Sequence, residues 1–93
     1  MTTDRNDYEV EWASPALRAL ERLPEKVGTA VLEFIYGSMA DNPKRVGRPL
    51  RLEFEGLHSA RRGDYRVVYR IDDEARIILI EAIAHRSDVY RWH

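Results

Sequence analysis

Apolar and polar positions alternate along several stretches of this chain and recur at helical spacing along two others. Tyr8, Val10 and Trp12 alternate with Glu9 and Glu11, the period-two pattern of a strand with one acidic, solvated face. Ser14-Pro15 follows, read as an N-cap and a proline at the first helical position, where its missing N–H costs nothing. Leu17, Leu20 and Leu23 then repeat every third residue and predict a short amphipathic helix that Pro24 ends. Val27, Ala30, Val31, Phe34, Ile35 and Ser38 fall on one stripe and predict a second helix from Pro24 to about Ala40, closed by Asn42-Pro43. Beyond it the period changes to two. Leu50, Leu52 and Phe54 alternate with Arg51, Glu53 and Glu55, a segment expected to pair with the sheet or approach it. Leu57–Arg62 reads as a strand, Gly63-Asp64 as a turn, and Tyr65 to Ile71 as the next strand. In that strand Tyr65, Val67, Tyr69 and Ile71 alternate with Arg66, Val68 and Arg70. Asp72-Asp73-Glu74 turns into a last strand whose Ile77-Ile78-Leu79-Ile80 run reads as buried on both faces. The expected architecture is one α+β domain over residues 1–93. Its small, antiparallel-rich sheet carries an N-terminal helical hairpin on one face, in the order β-α-α-β-β-β.

Composition narrows the chemistry. With 44% hydrophobic and 33% charged residues, the 93-residue chain has the makeup of a single globular core. It has no cysteine, so neither a disulfide framework nor a thiolate metal site is expected. His58, His85 and His93 lie far apart without helical pairing, which argues against a histidine metal site, and no cofactor is expected. No apolar run approaches the roughly 20 residues of a membrane span, and the polar first residues are unlike a signal peptide. A cytoplasmic protein without a membrane partner is the simplest expectation.

The net charge of −1 conceals an asymmetry. Residues 44–70 hold eight basic groups against three acidic ones, and thirteen of the fifteen basic residues in the chain are arginine. Arginine's planar fork suits bidentate phosphate contact better than lysine does. Alternation places Arg66 and Arg70 on one strand face, with Arg61 and Arg62 just across the turn. Such a row repels itself unless something negative belongs there, so the hairpin is a candidate phosphate-binding surface. Lys44, Arg45, Arg48 and Arg51 form a second basic group, read either as RNA-backbone contacts or as a solvated loop.

These residues carry a family resemblance. The run Gly56-Leu57-His58-Ser59-Ala60-Arg61-Arg62-Gly63-Asp64-Tyr65-Arg66-Val67-Val68-Tyr69-Arg70-Ile71-Asp72, followed by Ile83-Ala84-His85-Arg86-Ser87-Asp88-Val89-Tyr90, resembles the RelE/ParE toxin superfamily. Within it, the RelE-type branch of bacterial toxin–antitoxin systems is the most similar, and the element order agrees from about Tyr8 to Tyr90. The resemblance implies a metal-independent endoribonuclease that enters the ribosomal A site. It would cut translated mRNA by 2′-OH attack on the scissile phosphate and be neutralised by a RelB- or Phd-like antitoxin. The implied partners are that antitoxin, the ribosome and mRNA, with promoter DNA reached only through the antitoxin complex.

By position, Arg61 and Arg66 match the family's strand arginines that hold the scissile phosphate. His85 falls at or next to its late basic or histidine group, and Tyr90 matches its C-terminal tyrosine. Lys44, Arg45, Arg48, Arg51, Arg62 and Arg86 are the expected RNA-binding cations around them. Some relatives carry lysines where this chain has His58, Ser59 and Ala60, which leaves the general base and general acid unassigned. Histidine changes charge near neutral pH, so His85 is a candidate for either role and His58 an alternative base. Two other readings share the fold: a ParE-like toxin that inhibits DNA gyrase by protein contact, and a catalytically inactive homologue that serves only as an antitoxin's partner. The arginine pair with His85 and Tyr90 favours the nuclease.

Overall fold

A computed structural model describes residues 7–87. The chain opens with β1 (Glu9–Trp12), then α1 (Ser14–Arg22) and α2 (Glu25–Phe34), the latter continued by a π turn (Ile35–Met39). A one-turn helix α3 (Pro43–Val46), a two-residue strand β2 (Arg48–Pro49) and a 3₁₀ turn (Leu52–Phe54) follow. The hairpin β3 (Leu57–Arg62) and β4 (Tyr65–Asp72) and the final strand β5 (Ile77–His85) complete the described chain. The sheet runs β1-β5-β4-β3-β2. It is mixed: β1 lies parallel to β5, while β5, β4, β3 and β2 are antiparallel in turn.

The helices cover one face. Ala16, Val31, Ile35 and Met39 meet Ala60, Val67, Tyr69, Ile78, Ile80 and Ile83 there, all buried. The π turn explains why Met39, and not Ser38, ends the buried stripe of α2. Its wider turn carries the buried positions on at four-residue steps, 31 to 35 to 39, and leaves Ser38 exposed. Ala13, not Ser14, occupies the N-cap of α1, with Pro15 in the first turn as expected.

On the opposite, open face, a smaller cluster of Leu57, Val68 and Ala82 is covered by Leu50 and Phe54. The alternation of Leu50, Leu52 and Phe54 therefore does not make a strand. Leu50 and Phe54 fold down from a 3₁₀ turn, and Leu52, at φ 61°, is left 88% exposed. The pairing strand is instead Arg48–Pro49, set against Ser59 and His58. Nor is the isoleucine run buried on both faces. Ile78 and Ile80 are fully buried under the helices, whereas Ile77 and Leu79 are half-buried on the open face.

A β-bulge controls which residues of β5 share a face. Val68 pairs with Ala82 but Tyr69 with Ile80, so Glu81 is an extra residue. The bulge inverts the alternation, letting Ile83 join Ile78 and Ile80 in the main core despite its odd spacing.

An arginine hollow on the open sheet face

The β3–β4 hairpin turns through Gly63-Asp64, with Gly63 at φ +62° and Asp64 outside the positive-φ region. Two-residue hairpin loops with glycine first match the right-handed strand twist, so the turn fixes the register of the strands it joins. That register sets Arg61 directly opposite Arg66. Like charges directly across a strand pair destabilise it. Both side chains lie on the open face, as does Arg48, which pairs with Ser59 on β3's other side.

Arg45, Val46, Gly47, Arg48, Ser59, Arg61 and Arg66 line a hollow of about 430 Å³. Among the described residues, none of its four arginines meets a carboxylate; Arg61 donates only to the Gly63 carbonyl, at 3.3 Å. Arg66 is half-buried and the other three are exposed. On its Ser59 side the hollow holds a hydroxyl Oγ that is buried and unpartnered. Four forked cations, a hydroxyl and no acid make an anion site.

The remaining candidate residues lie elsewhere. Arg62, next to Arg61, points to the helix side and lines a separate groove with Lys26, Val27 and Ala30. Lys44 is held by Asp73 at 2.7 Å, and Arg70 by Glu81 at 3.4 Å. Arg86 is 4.0 Å from Asp64, and Arg51 is exposed outside the hollow.

His85 pairs with Tyr65, whose ring it meets edge-on at 5.1 Å, so it sits on the helix-side face and not with Arg61 and Arg66. Its Nδ1 accepts the Ser87 N–H at 3.2 Å and also contacts Ser87 Oγ at 2.9 Å, which puts the proton of the neutral ring on Nε2. His58 also faces the helices, stacked on Tyr69 at 5.6 Å, and burial pushes its pKa down. Tyr90 lies outside the described residues. Among the described residues, no histidine and no carboxylate lines the hollow.

Alternation did not reveal what holds the second wall of the hollow in place. Tyr69 is fully buried and its hydroxyl donates to the Pro43 carbonyl at 2.6 Å. Burial raises its pKa from 10.0 to about 12. Below pH 10 both folded and unfolded chains hold that proton. As the pH rises further, the unfolded chain releases it first, so stability is lost through about pH 12. A melting temperature that falls over this window in the wild type, and less steeply in Tyr69→Phe, is the expected result.

Asp73 forms a second tie, accepting from Tyr8 at 2.6 Å as well as from Lys44. Those two hydrogen bonds hold its carboxyl below the usual range. At the far corner of the open face, Glu11, Asp72, Asp73 and Glu74, with the cation Arg70 among them, surround Ile77 and Leu79.

Residues 10–90 match the family described as ParE toxin of type II toxin–antitoxin system, parDE. The chain is 53% identical to Toxin RelE of Mycobacterium tuberculosis over 91 residues, 98% of this chain and 94% of that protein. To Toxin RelG of the same organism it is 48% identical, over 90% of this chain and 97% of that one. Its fold matches the crystal structure of the M. tuberculosis toxin–antitoxin complex RelBE2, with a TM-score of 0.83 and 46% identity over 88% of this chain and 94% of that one. The isolated Escherichia coli RelE toxin shares the fold at a TM-score of 0.70 and 17% identity, over 90% of this chain and 92% of that one. This chain belongs to the RelE/ParE toxin family. It is a RelE-like toxin of a type II toxin–antitoxin module.

Proposed function

We propose that this toxin is a ribosome-dependent endoribonuclease and that the arginine hollow holds the scissile phosphate of translated mRNA. The observation that carries the reading is the unneutralised Arg61–Arg66 pair, two like charges placed directly opposite where an anion would relieve them. Cleavage by 2′-OH attack develops negative charge on a pentavalent phosphorane, and preorganised arginine forks stabilise that charge without a metal. Arg45 and Arg48 extend the cation field along the neighbouring backbone. Lys44, Arg51, Arg62 and Arg86 would meet RNA only outside the hollow.

Among the described residues the hollow supplies charge but neither a histidine nor a carboxylate. Chemistry there depends on a substrate already bent for in-line attack, and a ribosome-bound mRNA supports that dependence. His85 would serve proton transfer from the rim of the hairpin, across the sheet edge from the arginines. The antitoxin, RelB-like by analogy with the RelBE2 complex, would neutralise the toxin by covering this face, and would carry it to promoter DNA. The cytoplasm is where these partners meet.

The ParE description of the matched family favours a second reading, gyrase inhibition by protein contact. Induced expression in a bacterial host, with mRNA 5′-ends mapped in the same cells, separates the two. New ends inside translated codons are expected. Growth arrest with intact mRNA and an SOS response would move the assignment to gyrase, and folded protein without arrest would leave an inactive homologue.

A further inference from the structure

We infer that Tyr69, a core residue on the helix side of the sheet, is the positioning residue for the second wall of the arginine hollow. The inference rests on the reading of that hollow as an RNA-phosphate site. Arg61 and Arg66 are fixed by the hairpin itself, but Arg45 and Arg48 belong to a short turn that rounds the β3 edge of the sheet. That turn is too short to hold its own shape: α3 has four residues, and β2 has two.

Its shape comes from what it rests on. The Tyr69 hydroxyl bonds the Pro43 carbonyl, at the start of the turn, beneath a fully buried Pro43 ring. At the turn's other end Gly47 lies so close that a Cβ there would stand 2.3 Å from the same hydroxyl oxygen and 2.8 Å from the Ser59 carbonyl. One oxygen atom therefore supports both ends of the segment that carries Arg45. A core site facing only aliphatic groups would favour phenylalanine, because a buried hydroxyl is costly unless bonded. Here the hydroxyl has a single acceptor, and that acceptor is on the turn. The Lys44–Asp73 bridge ties the same turn on its outer side, exposed and salt-sensitive, and does not replace the buried hydrogen bond.

Tyr69→Phe removes only the hydroxyl and keeps the ring on which His58 stacks. Binding is read by fluorescence anisotropy on the full chain, with a labelled single-stranded RNA made uncleavable by 2′-O-methyl groups. Tyr69→Phe should weaken binding about 3- to 10-fold. It should also flatten the salt dependence toward that of Arg45→Ala/Arg48→Ala, by about 0.7 in the log–log slope for each phosphate the turn no longer neutralises. Added to Arg45→Ala/Arg48→Ala it should change nothing further, whereas added to Arg61→Ala it should keep its full factor. A general loss of folded protein raises the apparent dissociation constant by the same factor in every background and at every salt concentration, and so leaves that slope and pattern unmoved.

Hydrogen exchange in the same variants reads the turn without RNA. Amides of residues 44–48 should exchange about 5- to 10-fold faster in Tyr69→Phe, while those of β4 and β5 keep their protection. Wild-type affinity and slope together with unchanged exchange in the turn would overturn the inference. Should the wild type bind no RNA while the turn still loosens, the phosphate reading fails and the positioning role stands.

Discussion

On the proposed reading, replacing Arg66 by alanine is expected to lower the rate of mRNA cleavage by about 10²–10³-fold, the usual cost of one preorganised donor to a developing oxyanion. The same substitution leaves stability unchanged or raises it. Arg66 faces Arg61 across the strand pair, and removing one of two opposed cations relieves their repulsion. Few substitutions of half-buried residues separate the two properties this way, because a residue packed for stability loses both together. Arg66→Lys keeps the charge but loses the fork, and falls between wild type and alanine if bidentate pairing matters. Cleavage by 5′-end mapping and a thermal melt of the same preparations give both readings. Undiminished cleavage in the alanine variant would remove Arg66, and with it the hollow, from the chemistry.

Gly47→Ala destabilises the fold, by about 1–3 kcal/mol for an overpacked site. Gly47 has an extended backbone that any residue can adopt, at φ −139° and ψ −177°, so the cost is one of space. Its added methyl meets backbone at Ser59 and the buried Tyr69 hydroxyl, neither of which is the free end of a flexible side chain. In a domain of this size each kcal/mol moves the melting temperature by roughly 4–8 °C. Gly37→Ala is the matched comparison. Gly37 sits in the π turn with open space around it, so alanine there stabilises by reducing unfolded-state freedom. Opposite signs for one chemical change at two glycines are the expected outcome of paired melts. A neutral Gly47→Ala would mean that the turn yields easily and does not hold Arg45 in place.

Much of this could be read from the chain because it rests on local chemistry. Alternation found β1 and β4, the Gly63-Asp64 signal found the hairpin and with it β3, and the hairpin fixed Arg61 opposite Arg66. What escaped depends on non-local pairing. Nothing in Tyr8 to Trp12 says that its neighbour is the last strand, lying parallel. Lys44 reads along the chain as an RNA-binding cation, and only the fold brings Asp73 beside it.

The bulge at Glu81 decides the case of His85. Ile78 and Ile80 face the helices, so strict alternation puts position 85 on the open face beside Arg66. One extra residue at position 81 moves it to the helix side. A backbone insertion of that kind leaves no mark in hydropathy, since Glu81 reads as an ordinary outward-facing position. Leu50 to Phe54 follows the second of its two expected readings: it approaches the sheet without becoming a strand, because a left-handed Leu52 bends it into a cover for Leu57 and Val68.

The two charged corners of the open sheet face give the molecule an electrical direction. From Arg66 to Asp72 along β4 is about 20 Å at strand rise, with the arginines at one end and Glu11, Asp72 and Glu74 toward the other. A chain of net charge −1 has almost no monopole to draw it to a polyanion, so its approach is governed by the dipole. Near a phosphate-rich surface the field exerts a torque that turns the arginine corner inward and the carboxylates outward before the two surfaces touch. On the proposed reading, a near-neutral protein would thus arrive already facing its target without clinging to every nucleic acid it passes.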